Sequence, residues 1–219
     1  MTIASERVLG FALPTIRILL GAVCFVNGFN WFFKIITPYP SMSDFVHFLP
    51  PPDIVGALIE NGILFHLVKA VELVAGVALL ANRFVPLGLV VSMSVTVIVF
   101  IVDVFKPEFR LRAFLMGSGT LAMTLVMLIA YLDHYRPMLA VKAKPNPDPA
   151  KPRQADGGEF PTVVGGLLKP IFLPLAMLSM LVGLVQVGWL GVMVGQYIAD
   201  PKPISALHPL QPRVEKPPK

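Results

Sequence analysis

Three ionisable residues interrupt an apolar run at regular intervals: His66, Lys69 and Glu72 in "HLVKAVELVAGVALL", residues 66–80. An imidazole can relay protons, an ammonium can donate hydrogen bonds to a carbonyl, and a carboxylate can set the charge of both. Such a group could serve a ligand like a quinone, with His66 and Lys69 donating to its carbonyls. The same three residues could equally form a neutralised polar core, because Lys69 and Glu72 stand at i, i+3. At about 100° per residue, His66, Lys69, Glu72 and Gly76 share one helical face, opposite Leu, Val and Ala.

A second polar set lies upstream. Asn27, Asn30 and Lys34 share a face of an earlier apolar stretch, and Arg17, Gly21 and Cys24 share an adjoining one. If the two stretches are antiparallel helices, Asn30 falls level with His66, Asn27 with Lys69 and Cys24 with Glu72, with Arg17 long enough to reach toward Glu72. Each ionisable group at membrane depth costs about 2.5–3.5 kcal/mol on insertion scales, and such groups usually mark a pathway or a site. Asparagines also bridge helices without doing chemistry, Lys34 can snorkel to the interface, and His66 can be a hydrogen-bonded packing residue. Arg17, Asn27, Asn30, His66, Lys69 and Glu72 are therefore candidates for a ligand pocket or a structural ladder, and both readings stand.

The elements that must carry these residues follow from composition. Of 219 residues, 55% are hydrophobic and only 14% charged, with a mean hydropathy of +0.74. A soluble domain carries about 25% charged residues, so this chain reads as a membrane protein. Five stretches have the roughly 20 apolar residues that a spanning helix needs: about 11–36, 63–81, 85–104, 113–132 and a fifth within 161–199. The expected fold is all-α: an integral membrane four-helix bundle (residues 1–136) plus an additional C-terminal transmembrane helix.

The first stretch is too long for a signal peptide and lacks a small-residue cleavage pattern, so a retained helix is expected. The loop 37–62, with Ser41 or Ser43 able to cap a short helix ended by Pro50–Pro52, reads as interfacial. Trp31, Phe32, Phe33 and Tyr39 nearby fit an aromatic belt. Residues 137–160 read as a flexible Pro-rich linker and 200–219 as a solvated Pro-rich tail. Lys/Arg placement favours a cytoplasmic N-terminus and an external C-terminus.

Several chemistries find no support. Cys24 is the single cysteine, which excludes an internal disulfide, a CxxC pair and an iron–sulfur site. Of four histidines only His66 lies in an apolar run, whereas a bis-His haem needs two on facing helices. No HExxH, GxSxG or other metal or covalent-cofactor motif occurs, and the dispersed net charge of +5 suits lipid headgroups rather than nucleic acid. Gly117, Ser118, Gly119 and Thr120 are only superficially like a phosphate loop, since no GK[ST] follows; close helix packing is expected. Asp103, Lys106, Glu108, Arg110 and Arg112 crowd one turn and read as mutual surface pairing.

In the fifth stretch, Ser179, Gly183, Gly191 and Gly195 form a small-residue stripe, and Gly191 with Gly195 makes a GxxxG pair. This segment could dock a membrane-protein partner or a second copy, or pack on its own bundle.

"RILLGAVCFVNGFNWFF" from Arg17, with "HLVKAVELVAGVALLANRFVPLGLVV", resembles the DoxX-like membrane proteins over about residues 10–135. Arg17, Gly21, Gly28, Glu72 and Gly76 stand at the family's R-x-x-x-G…G and Glu-plus-glycine positions. The resemblance implies a four-helix bundle in a bacterial or archaeal cytoplasmic membrane. It also implies a link to sulfur-compound and quinone oxidoreduction or redox-stress complexes. The linker and fifth helix depart from that pattern and point to assembly. Three readings result: an accessory subunit of a membrane complex that handles quinone, a non-catalytic scaffold docking through the fifth helix, or a small-solute transporter. The last lacks inverted repeats or paired broken helices.

Overall fold

The computed structural model describes residues 3–33, 63–105, 111–135 and 160–199, which are helical apart from short connections. The helices are α1 (Ile3–Phe33), α2 (Ile63–Leu80), α3 (Val85–Val104), α4 (Leu111–Ala130), the short α5 (Leu132–Tyr135) and α6 (Phe160–Ala199). The expected interfacial loop 37–62, Lys34, the charged residues Lys106, Glu108 and Arg110, the linker up to residue 159 and the tail 200–219 lie outside the described residues.

Among the described residues, four helices are long and apolar enough to cross a bilayer: Ser5–Phe33, Ile63–Leu80, Ala113–Ala130 and Leu168–Gln196. Sequence suggested five; the apolar run of α3, Val85–Ile101, is the shorter one. The chain is an all-α integral membrane protein. Its outward surface fits that class, since Leu67, Val74, Leu87, Leu178, Leu181 and Val192 are exposed large apolar side chains. Lipid tails, not water, would cover them.

Several hydroxyls inside these helices are satisfied locally, as hydrocarbon offers no partner. Thr15 Oγ1 donates to the Phe11 carbonyl at 2.9 Å, Thr96 Oγ1 to Ser92 at 2.9 Å and Thr124 Oγ1 to Thr120 at 2.8 Å.

The α2–α3 reversal is short because α2 ends in a paired cap. Arg83 N donates to the Ala78 carbonyl at 2.9 Å and Asn82 N to Leu79 at 3.3 Å, the bonding of a Schellman motif. Asn82 takes the left-handed conformation this requires, with φ 53°. Phe84 does so too, with φ 54°, and Pro86 then stands in the first turn of α3, where its missing N–H costs nothing.

α1 is the hub: it packs on α2, α4 and α6, and α3 closes the circuit between α2 and α4. Ile16, Leu20, Leu79, Leu89 and Met123 are fully buried between these helices. α6 is part of the bundle of its own chain. A Cβ on Gly183 would come within 2.6 Å of Met123 Sδ and 3.1 Å of Leu19 Cδ1, and one on Gly119 would meet Val182. These pairings run in opposite directions along α4 and α6, so the two are antiparallel. One end of the bundle therefore holds the start of α1, the α2–α3 turn, α5 and the first half of α6. Tyr135 ties that end together by donating to the Pro86 carbonyl at 2.9 Å.

Candidate functional site

Glycine sets the α1–α2 contact. A Cβ on Gly28 would lie 2.6 Å from Leu73 N, one on Gly76 would strike the Phe25 backbone, and one on Gly21 would lie 3.0 Å from Leu80 Cγ. These three contacts fix the register: Gly28 opposes Leu73, Phe25 opposes Gly76, and Gly21 opposes Leu80.

This register differs from the one obtained by matching helix ends. Glu72 is level with Phe29 rather than Cys24, and Lys69 with Phe32 rather than Asn27. Arg17 lies twelve residues before Phe29, about 18 Å along the axis, too far for a guanidinium to reach Glu72. Backbone approach at the glycines outweighs alignment of helix ends, because dispersion falls off steeply once surfaces separate.

Phe65, Lys69, Glu72, Gly76 and Leu79 form the buried stripe of α2. Within it Lys69 Nζ donates to Glu72 Oε2 at 2.7 Å, with side-chain exposures of 8% and 11%. The ammonium also stands 5.5 Å from the Phe65 ring centroid, a cation–π distance. Of the two basic groups available, Lys69 is thus the partner of Glu72. The Arg17 Nε is buried without a hydrogen-bond partner.

Asn30 is buried at 2% exposure and Asn27 is half-buried on α1. His66, one position off the stripe, is exposed. Its ring stands 5.5 Å from that of Trp31 in an edge-on arrangement and 6.1 Å from Phe32. Phe32, Ile63, His66, Leu67 and Ala70 line an open groove of about 530 Å³. The six ladder candidates thus separate into a buried pair with Asn30 near it, a half-buried Asn27, a groove-facing His66 and a distant Arg17. Cys24 is buried.

Residues 12–104 match the DoxX family model. The DoxX match takes in most of α1 and all of α2 and α3, hence Gly21, Gly28, Gly76, the Lys69–Glu72 pair and the His66 groove. Over that segment the chain is similar to membrane proteins of the DoxX type. No curated protein and no solved structure matches the chain significantly. Helices α4 to α6 lie beyond the DoxX segment.

Beyond that segment, besides the Tyr135 bond to Pro86, the structure adds a polar contact between α4 and α6 that the sequence reading did not select. Gln186 Nε2 donates to the carbonyls of Leu115 at 2.7 Å and Met116 at 3.1 Å. Gln186 is 1% exposed and Gly119 leaves the room for its amide. The available signal was a lone amide in an apolar helix, the pattern of interhelical hydrogen bonding. Of the stripe on α6, Ser179 and Gly183 face inward and are buried, whereas Gly191 and Gly195 have nothing within 4 Å of an added Cβ. At the start of α4, Gly117 packs against Asp103. Among the described residues no cluster of His, Cys, Asp or Glu is arranged to hold a metal.

Proposed function

We propose that this protein is a DoxX-type, non-catalytic accessory subunit of a membrane complex, with the ladder serving to hold α1 and α2 together. The observation that carries this reading is the closed Lys69–Glu72 pair. Its ammonium and carboxylate are spent on each other at 2.7 Å inside the helix interface, so neither is left facing a substrate. Alternating-access transport draws no support from such a glycine-locked α1–α2 contact.

The partner contact is assigned to the outward face of α6. Gly188, Gly191 and Gly195 carry open space where a Cβ would stand, between exposed Trp189 and Val192. A stripe of this kind lets a transmembrane helix of a partner chain approach closely. The orientation that suits the basic residues puts Arg7, Arg83 and Lys169 at the cytoplasmic end and the C-terminus outside, in a bacterial or archaeal inner membrane.

The test is mild-detergent purification of the tagged parent beside a Gly191→Ile/Gly195→Ile variant, with co-purifying membrane proteins identified. The reading expects one stoichiometric partner with the parent and its loss from the folded variant. Equal recovery with both would remove α6 as the contact.

A second reading rests on a specific feature, the exposed His66 in its apolar groove. There a quinone head could accept a hydrogen bond from the imidazole while its tail lies along Leu67 and Ala70. A photoreactive quinone analogue should then label the Phe32–Ala70 groove in the parent and not in His66→Phe. Labelling spread evenly over the outer helices in both would sink it.

A further inference from the structure

Arg17 carries a charge that no described residue answers. It is half-buried on α1, its Nε is enclosed without a hydrogen-bond partner, and it makes no ion pair with any described residue. It continues the Gly21–Cys24–Gly28 stripe that faces α2. Gly21 already opposes Leu80, the last residue of α2. One turn further back, Arg17 is therefore level with the Asn82–Phe84 reversal, where α2 has ceased to cover that face.

At this level the apolar span of α2 stops and α3 begins. Asn82 and Arg83 are exposed, and Phe84, held in its left-handed conformation, is 77% exposed, as suits an aromatic at the headgroup boundary. Next to it Leu80 (39% exposed) and Ile18 (49% exposed) belong to the outward-facing apolar surface. A guanidinium offers planar paired donors that match a phosphate, and basic pockets between helices at the membrane boundary take anionic headgroups.

We infer that Arg17, with Arg83 on the adjacent turn, binds the phosphate of an anionic phospholipid headgroup at the open end of the α1–α2 contact. The lipid supplies the counter-charge that Glu72 gives to Lys69 deeper in the same interface, and so completes the α1–α2 pair at its other end.

The experiment measures thermal unfolding of the full chain in neutral detergent with added phosphatidylglycerol, phosphatidylcholine or inorganic phosphate. The parent, Arg17→Lys, Arg17→Gln and Arg83→Gln are compared. Phosphatidylglycerol should raise the midpoint of the parent, while phosphatidylcholine and inorganic phosphate should not. Arg17→Gln should bind phosphatidylglycerol about tenfold more weakly, with Arg17→Lys and Arg83→Gln in between.

An unchanged phosphatidylglycerol effect in Arg17→Gln, or an equal effect of phosphatidylcholine, overturns the proposal. Full reproduction by inorganic phosphate also overturns it, as the site would then hold a free anion. If Arg17→Gln does not fold, native mass spectrometry of the parent decides. Selective retention of phosphatidylglycerol from an equimolar mixture supports the site, and equal retention of both lipids rejects it.

Discussion

Lys69 and Glu72 form a 2.7 Å ion pair one helical turn apart, both buried where α2 meets α1. Removing one member strands the other charge in a low-dielectric interface. Glu72→Ala and Lys69→Met should each cost about 3–5 kcal/mol, read as loss of folded protein in membranes. The double variant Lys69→Met/Glu72→Leu removes both charges and should recover most of that loss. A double variant as poor as the worse single one would mean that the pair does more than neutralise itself.

The glycines divide into two groups by what lies opposite. Gly28→Ala and Gly76→Ala each place a methyl against backbone of the facing helix, which side-chain rotation cannot relieve. Each should destabilise by about 1–3 kcal/mol. Gly191→Ala and Gly195→Ala meet open space and should shift the unfolding midpoint of the isolated protein little. Thermal unfolding of the four variants in one detergent tests the register directly.

Gln186 is the polar fastening of α6 to α4. Gln186→Met preserves much of the volume and deletes the hydrogen bonds to the Leu115 and Met116 carbonyls. The cost should be about 1 kcal/mol, as interhelical hydrogen bonds in membranes are modest. It should appear as faster protease cutting of α6 from the bundle in detergent.

Tyr135 gives an alkaline signature. Its phenol is pushed up to about 12 from 10.0, by burial first and by Tyr131 second. The folded state thus holds the proton more tightly than the unfolded chain. Its contribution is complete below pH 10 and is lost as pH rises toward about 12. Tyr135→Phe loses the bond to Pro86, about 1 kcal/mol, and should flatten that alkaline decline. Unfolding midpoints across this range, with a phenolate absorbance titration, give the check.

The residues of this chain determine its class and its polar inventory. Long apolar stretches with few charges leave no alternative to membrane helices, since hydrocarbon forces backbone groups to bond within each segment. Helical periodicity also places Lys69, Glu72 and Gly76 on one face, because 3.6 residues per turn is a local property. Periodicity does not contain axial register. That depends on where two backbones can approach most closely, and the Gly28–Leu73 and Gly76–Phe25 contacts decide it. The register in turn separates Arg17 from Glu72 and leaves Lys69 as the partner.

The placement of α6 was equally closed to sequence. Ser179, Gly183, Gly191 and Gly195 read as one small-residue stripe, yet the first two face α1 and α4 while the last two face outward. Apolar faces of a membrane helix are equivalent toward lipid. Only the three-dimensional fit of Gly119, Met123 and Gln186 selects the face that turns inward.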